Sequence, residues 1–261
     1  MSESIYIKSA REIELMRQAG KITAGARTIA REAIRDGVTT KQINKCVHDY
    51  IVKNGAKPTF LGYGGFPGSA CVSVNEEVIH GIPGKRIVHN GDIVSVDVGA
   101  MIHGFTGDCA GTYGCGEISD EAKHLIEVTR QSFFEGIKFA KVGYRISDIG
   151  AAVQDYAESH GCSVIRDYVG HGVGRELHEA PEVPNYREDR KLGHRGDPRI
   201  VKGMVIAVEP MIALGDWHVK VLDNDWTVVS EDGSLTAHYE NTIAITDGEP
   251  EILTMADDLY L

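Results

Sequence analysis

GDIVSVDVGA, residues 91–100, and GMVIAVEPMI, residues 203–212, decide how this chain is read. Each is entered by a glycine and runs through aliphatic, largely β-branched residues that favour a strand. Each places a carboxylate at its seventh position, Asp97 in the first and Glu209 in the second. An acid inside such a run is costly to bury unless it is paired, hydrogen-bonded or bound to a cation. A second echo lies upstream. Gly37-x5-Ile43-x3-Val47-x-Asp49-Tyr50-x4-Gly55 matches Gly143-x5-Ile149-x3-Val153-x-Asp155-Tyr156-x4-Gly161, every pair 106 positions apart, whereas the two strands lie 112 apart. The chain describes one unit twice, with a small insertion in the second copy, which the stretch 186–199, rich in charge, Gly and Pro, is expected to hold. The fold expected is α/β, of the α+β type. Two similar halves, about 1–118 and 119–261, face each other across a pseudo-two-fold axis and act as a single domain over 1–261.

Working outward, Ser9 and Glu12 form a capping box ahead of an apolar stripe of Ile13, Met16, Ala19, Ile22, Ala26, Ile29 and Ala33. That helix is expected to end at Asp36-Gly37. A second opens at residues 39–42, with Ile43, Val47, Tyr50 and Ile51 as its stripe, and stops at Asn54-Gly55. The formal net charge is −11, with the acids scattered. Such a field repels phosphate backbones, so no nucleic-acid specificity is expected. Cys46, Cys71, Cys109, Cys115 and Cys162 are odd in number and form no CxxC pair, which argues against a disulfide framework or a structural zinc site. The first residues show no apolar signal-like core, and no apolar run approaches the ~20 residues that span a bilayer. A cytoplasmic protein without a membrane partner is expected.

After Asp97 the chain turns back as FTGDCAGTY, residues 105–113. If the hairpin is centred between Ile102 and His103, Asp97 faces Asp108 directly, with Cβ atoms about 5 Å apart. Two such carboxylates repel unless a proton or a cation sits between them, and residues 92–112 contain no Lys or Arg. A proton would make an aspartic dyad, a cation a metal site, and a nearby Lys or Arg a plain salt bridge; the missing basic residues count against the salt bridge and favour the metal. Glu240, in AHYENTIAI (237–245), adds a fourth acid inside a β-like run. Three histidines stand out: His171 between glycines in VGHGVG (169–174), His178 seven residues later, and His80 at the end of a strand-like VIHGIP (78–83). His238 shares a strand face with Glu240. Four carboxylates and an imidazole are too oxygen-rich for a closed structural zinc site and suit two divalent ions with a bridging water.

These residues resemble the type I methionine aminopeptidases, a family of pita-bread fold, over nearly the whole chain, from about residue 5 to 253. The motifs are Asp97 in SVDVGA, Asp108 in GFTGDCAGT, His171 in GHGVGRELHE, Glu209 in AVEPMI and Glu240 in HYENTIAIT. The resemblance implies a curved, mainly antiparallel central sheet with helices on its outer face. It also implies two divalent ions (Co²⁺, Mn²⁺, Fe²⁺ or Zn²⁺), with Asp97 on one, Asp108 and Glu240 bridging, and His171 and Glu209 completing one shell. The implied reaction removes the initiator methionine from nascent polypeptides with a small second residue, through attack by a metal-bridging hydroxide. His178 would stabilise the developing oxyanion, His80 would position the amine or shuttle a proton, and Glu209 would take the proton of the attacking water. The implied methionine pocket is Phe60, Tyr63, Phe66, Cys71, Leu177 and Trp226. From the residues alone, FLGYGGFP (60–67) is an aromatic loop on glycine hinges, which also suits an ordinary packed surface loop. A monomer in transient contact with the ribosome is implied. The alternatives are an Xaa-Pro aminopeptidase or dipeptidase of the same fold, which usually carries an extra N-terminal domain, and a non-catalytic peptide-binding relative, which typically lacks ligands that are present here.

Overall fold

In a computed structural model, residues 4–187 and 197–255 are described. The first half runs α1 (Ala10–Ala33), α2 (Thr40–Lys53), β1 (Lys57–Pro58), a 3₁₀ turn (Tyr63–Gly65), β2 (Ala70–Val74), β3 (Glu77–Ile79), β4 (Ile93–Ile102) and β5 (Phe105–Gly114). The second begins with α3 (Asp120–Ile137), α4 (Ile146–Ser159), β6 (Ser163–Val164), β7 (Gly170–Gly172), β8 (Glu179–Val183) and β9 (Val205–Val208). It continues with β10 (Met211–Ala213), β11 (Val219–Val221), β12 (Val228–Ser230), β13 (Thr236–His238), β14 (Asn241–Ala244) and β15 (Glu251–Ile252). The strand pairings are antiparallel. Most of the stretch expected to hold the insertion, and His194 with it, lies outside the described residues. No helix among the described residues is long and apolar enough to cross a membrane.

The repeat sets the framework. α2 and α4 both have 14 residues, and both of their bounds are offset by the 106 positions of the sequence echo. Ile43 and Val47 in one, and Ile149 and Val153 in the other, are fully buried. Gly55 and Gly161 close the two helices with φ +74 and +77, the left-handed geometry of a helix stop. The Ser9–Glu12 capping box opens α1. That helix stops at Ala33, short of Asp36-Gly37, because Ile34 turns extended (φ −70, ψ 115) and sends its N–H back to the Arg31 carbonyl.

Strand alternation then sorts the faces. Val94, Val96, Val98 and Ala100 of β4, with Val72 and Val74 of β2, pack against Ala26 and Ala30 of α1 and Ile43, Val47 and Ile51 of α2. Cys71, Ser95 and Asp97 therefore face the opposite, inner side. Ile206, Val208 and Ile243 pack against Phe133, Ile146 and Ile149 in the same way. Helices thus cover the outer faces, and the polar positions of both halves look inward.

The hairpin register differs from the sequence expectation. β4 and β5 pair Ile102 with Phe105 and Asp97 with Ala110, leaving Asp108 opposite Gly99. The hairpin is centred on His103-Gly104, which take φ +56 and +76, the two positive values a type I′ turn demands. Asp97 and Asp108 are therefore diagonal neighbours on one face, about 7–8 Å apart at Cα, not a facing pair. The facing acids occur in the second half. β9 pairs Val208 with Asn241, β10 pairs Met211 with His238, and the register does not shift between them, so Glu209 falls opposite Glu240. Each of these runs, read from the sequence as one strand, is cut in two at its acid. Pro210 has no N–H to give the ladder, although its carbonyl still accepts from the Tyr239 N–H at 3.1 Å.

The halves meet along a short seam of β5 against the β13–β14 run. Ala110 and Glu240 exchange backbone hydrogen bonds of 3.3 and 3.0 Å. On one side the Thr242 hydroxyl accepts from the Asp108 N–H (3.0 Å) and donates to the Asp108 carbonyl (2.8 Å). On the other, the Thr112 hydroxyl does the same for His238 (2.8 and 2.9 Å). Arg27, buried in α1, donates to the carbonyls of Ala110 and Glu240, each at 3.1 Å, so its charge lies against two seam dipoles.

Candidate metal centre

Each acidic side chain arrives from a different local device. Asp97 rides on β4, opposite Cys71 of β2 and Ala110 of β5. Asp108 is held at its backbone by the seam. Glu209 and Glu240 sit at the breaks in the second ladder, and the Glu209 carbonyl accepts from Asn185 Nδ2 at 3.0 Å. His171 is central in β7, which lies between β8 and β9. Its flanking glycines serve this packing: a Cβ on Gly170 would lie 2.4 Å from the Ala207 carbonyl oxygen, and one on Gly172 would lie 2.3 Å from that of Ala180. Their close neighbours are thus the adjacent strands.

The side chains converge. His171 Nε2 lies 3.5 Å from Glu209 Oε1 and 3.8 Å from Asp108 Oδ2. Its Nδ1 lies 2.8 Å from the Gly172 carbonyl. A carbonyl only accepts, so Nδ1 carries the proton and Nε2 presents a lone pair to the acids. One oxygen of each acid, Asp97 Oδ1, Asp108 Oδ1, Glu209 Oε1 and Glu240 Oε1, is buried without a hydrogen-bond partner. Unpaired buried carboxylate oxygens are expensive, and here the four acids that carry them line one cavity together with His171. Asp108, His171 and Glu240 can each bring a donor atom within 4.8 Å of the others. Oxygen-rich donors with a single imidazole suit hard or borderline divalent ions. The residues present fit a metal centre.

Electrostatics point the same way. Burial raises the Asp97 carboxyl to about 7, opposed in part by hydrogen bonds from the Val98 amide and the Asp108 carboxyl. Asp108 is held well above the ordinary range by burial and by the charges of Asp97 and Glu209. Glu209 is raised by burial and by Asp97, and Glu240 by burial and by Asp108, Glu209 and Asp97. Burial lowers His171 to about 3 and, with His178 nearby, His80 to about 4, so both imidazoles are neutral at pH 7. Without metal the folded chain holds carboxyl protons that the unfolded chain has already released. The stabilisation this gives is present at low pH and is lost as pH rises through the folded values. The histidines act with the opposite sign, but they titrate between their lowered values and the ordinary 6.5, and have finished by about pH 7. The melting temperature of EDTA-stripped protein is therefore expected to fall from about pH 7 to 9, and the fall should vanish with saturating Mn²⁺. A flat metal-free profile over that window would contradict the raised carboxyls.

Beside the acids lies a cavity of about 240 Å³. Phe60, Tyr63, Phe66, Cys71, Leu177 and Trp226, all named from the sequence, line it together with His80, His178 and the five acid and imidazole residues. Phe60, Phe66, Cys71 and Leu177 form one buried cluster with Trp226 packed against it. Gly62, Gly64 and Gly65 take φ of +84, +55 and +94, a run of left-handed backbone that only glycine adopts cheaply. That run turns the 60–66 loop so that both phenylalanines point inward. Burial and the Asp97 and Asp108 charges hold the Cys71 thiol well above its usual range, so it is an apolar wall and not a thiolate. His80, just past β3 with φ +57, packs edge-on against Tyr168 and Trp226. His178 sits at the exposed mouth, its ring 4.3 Å from that of His171 and its Nδ1 2.7 Å from Tyr63 Oη.

The sequence reading missed Ile79 and Tyr168. Ile79 lines the cavity from the end of β3, and Tyr168 supports His80. Neither belongs to a motif; the one available signal was the apolar residue directly before His80.

The model of metallopeptidase family M24 matches residues 14–247. The chain is 54% identical to a methionine aminopeptidase of Clostridium acetobutylicum over 97% of this chain and 100% of that one. It is 48% identical to methionine aminopeptidase 1 of Bacillus subtilis over 96% and 99%. The crystal structure of methionine aminopeptidase from Thermotoga maritima superposes with a TM-score of 0.92 at 47% identity, covering 97% of this chain and 100% of that one.

Proposed function

The chain belongs to metallopeptidase family M24, among its methionine aminopeptidases, and on that footing we propose how its residues divide the reaction. The fold is that family's pita-bread α/β arrangement, and the activity is metal-dependent removal of the N-terminal methionine. The observation that carries the assignment of residues is the set of four acids, each with a buried, unpartnered oxygen, that line one small cavity together with His171. Asp97, Asp108, His171, Glu209 and Glu240 would hold two divalent ions, drawn from Mn²⁺, Fe²⁺, Co²⁺ and Zn²⁺. When bound, such ions supply Lewis acidity and a nucleophile from water at neutral pH.

The remaining steps fall to the chain's own side chains. Phe60, Phe66, Leu177, Trp226 and Cys71 take the methionine side chain; an unbranched thioether adapts to an aromatic wall of this kind. His80, neutral at pH 7, is placed to position the substrate amine. Tyr63, whose phenol is raised above its usual range by burial and by Glu176, stays protonated and donates to His178 Nδ1. His178 therefore carries its proton on Nε2 and donates from there to the scissile carbonyl oxygen as charge develops. Glu209 takes up the proton released by the attacking water. The expected substrates are nascent chains with a small second residue, met in the cytoplasm by a monomer that touches the ribosome only transiently.

The test is turnover of a Met-Ala-Ser peptide against a series of Xaa-Pro peptides. Methionine release should dominate, EDTA should abolish it, and Mn²⁺, Co²⁺ or Fe²⁺ should restore it in part. Preference for the Xaa-Pro series would replace this reading with the proline-directed one, and turnover unaffected by EDTA would remove the metal.

A further inference from the structure

His238 has no part in the reaction above, yet its imidazole is the most enclosed of those that line the cavity, with 1% of the residue exposed. Its Nε2 is buried and has no hydrogen-bond partner. That nitrogen lies 3.8 Å from Glu209 Oε2 and 3.9 Å from Glu240 Oε2. The other oxygen of each glutamate, Oε1, is the buried and unpartnered one, and Glu209 Oε1 is the atom 3.5 Å from His171 Nε2. Glu209 is thus divided, with Oε1 toward His171 and Oε2 toward His238, while Glu240 also turns Oε2 to His238. The backbone that carries the imidazole is pinned by Thr112 on both its N–H and its carbonyl.

We propose that His238 is a positioning residue, which donates from Nε2 to Oε2 of Glu209 and so fixes which oxygen that glutamate presents to the metals. The inference rests on the metal-centre reading above. A carboxylate that rotates exchanges its two oxygens freely, and a donor held on one oxygen leaves the other as the ligand. The present separations exceed hydrogen-bond length, so the contact closes by side-chain rotation on a fixed backbone. The rival role, a further ligand, is distinguished by the Co²⁺ spectrum, since a lost ligand moves the bands and a lost positioning contact does not.

Calorimetric titration of the metal-free protein with Mn²⁺, together with the visible spectrum of the Co²⁺ form, tests this for wild type, His238→Leu and His238→Gln. Leucine cannot donate, whereas the glutamine amide can. His238→Leu is expected to weaken Mn²⁺ binding by about 10–100-fold, and His238→Gln to restore it to within about threefold, with Co²⁺ bands at the wild-type positions. If the leucine variant does not fold, His238→Asn, whose shorter amide falls short of Glu209, takes its place with the same expected weakening. Unchanged affinity in the leucine or asparagine variant overturns the proposal. So does failure of glutamine to rescue with shifted Co²⁺ bands, which would make His238 a ligand. Wild type that binds no Mn²⁺ would instead remove the metal-centre reading itself.

Discussion

Asp108→Asn is expected to lose metal binding and peptidase activity together, with kcat/KM falling by about 10³-fold or more, some 4 kcal/mol of transition-state stabilisation. The substitution keeps the shape of the side chain and leaves the backbone held by Thr242. What it removes is one negative ligand at the place where burial and the charges of Asp97 and Glu209 already press on the carboxyl. It also gives an independent stability signature. Without metal the variant should melt at or above the temperature of metal-free wild type at pH 8, because no buried carboxyl there has to be held protonated or charged on folding. With Mn²⁺ the wild type should gain and the variant should not. Full activity in this variant would take Asp108 out of the site.

The second large effect belongs to His178. Replacement by alanine is expected to lower kcat/KM by about 10²–10³-fold, the usual loss when one oxyanion donor is removed, with metal content unchanged. Tyr63→Phe should cost less, about tenfold, because it removes only the partner that settles which nitrogen carries the proton. Loss of metal from His178→Ala would recast the residue as a buttress of His171, against whose ring it packs. Equal losses in both variants would argue that Tyr63 itself touches the substrate.

Much of the fold was legible because the chain states it twice. The offset of 106 that relates the two motifs also relates the bounds of α2 and α4, since both helices bury the same two apolar positions against the same kind of sheet. The acids were legible because a carboxylate inside a β-branched run has few cheap solutions. The hairpin register was not read correctly. His103-Gly104 lacks the Asn-Gly or Asp-Gly form that marks a two-residue turn most strongly, though its glycine suits the second turn position, and centring the hairpin one position earlier turned a diagonal pair into a facing one. The opposition of Glu209 and Glu240 was hidden for another reason: it depends on pairing between strands about 30 residues apart in sequence, which alternation within either strand cannot set. His238 could be placed on the right face by its spacing from Glu240. Its two carboxylate neighbours emerge only when the second ladder and the seam are assembled. Ile79 and Tyr168 become site residues through packing alone, and no spacing rule marks them.

The threonine seam governs where such a chain is free to vary. Thr112 and Thr242 each satisfy an N–H and a carbonyl of one residue across the boundary, so losing either hydroxyl strands two buried backbone groups at once. Serine is the substitute that keeps the same reach. The aromatic loop at 60–66 carries no such double duty, and its side chains can be exchanged for others without loosening the strands that bear Asp108 and Glu240. Heritable change in this architecture is thereby steered toward the walls of the cavity, where it alters what is bound, and away from the boundary between the halves, where it would dismantle the centre.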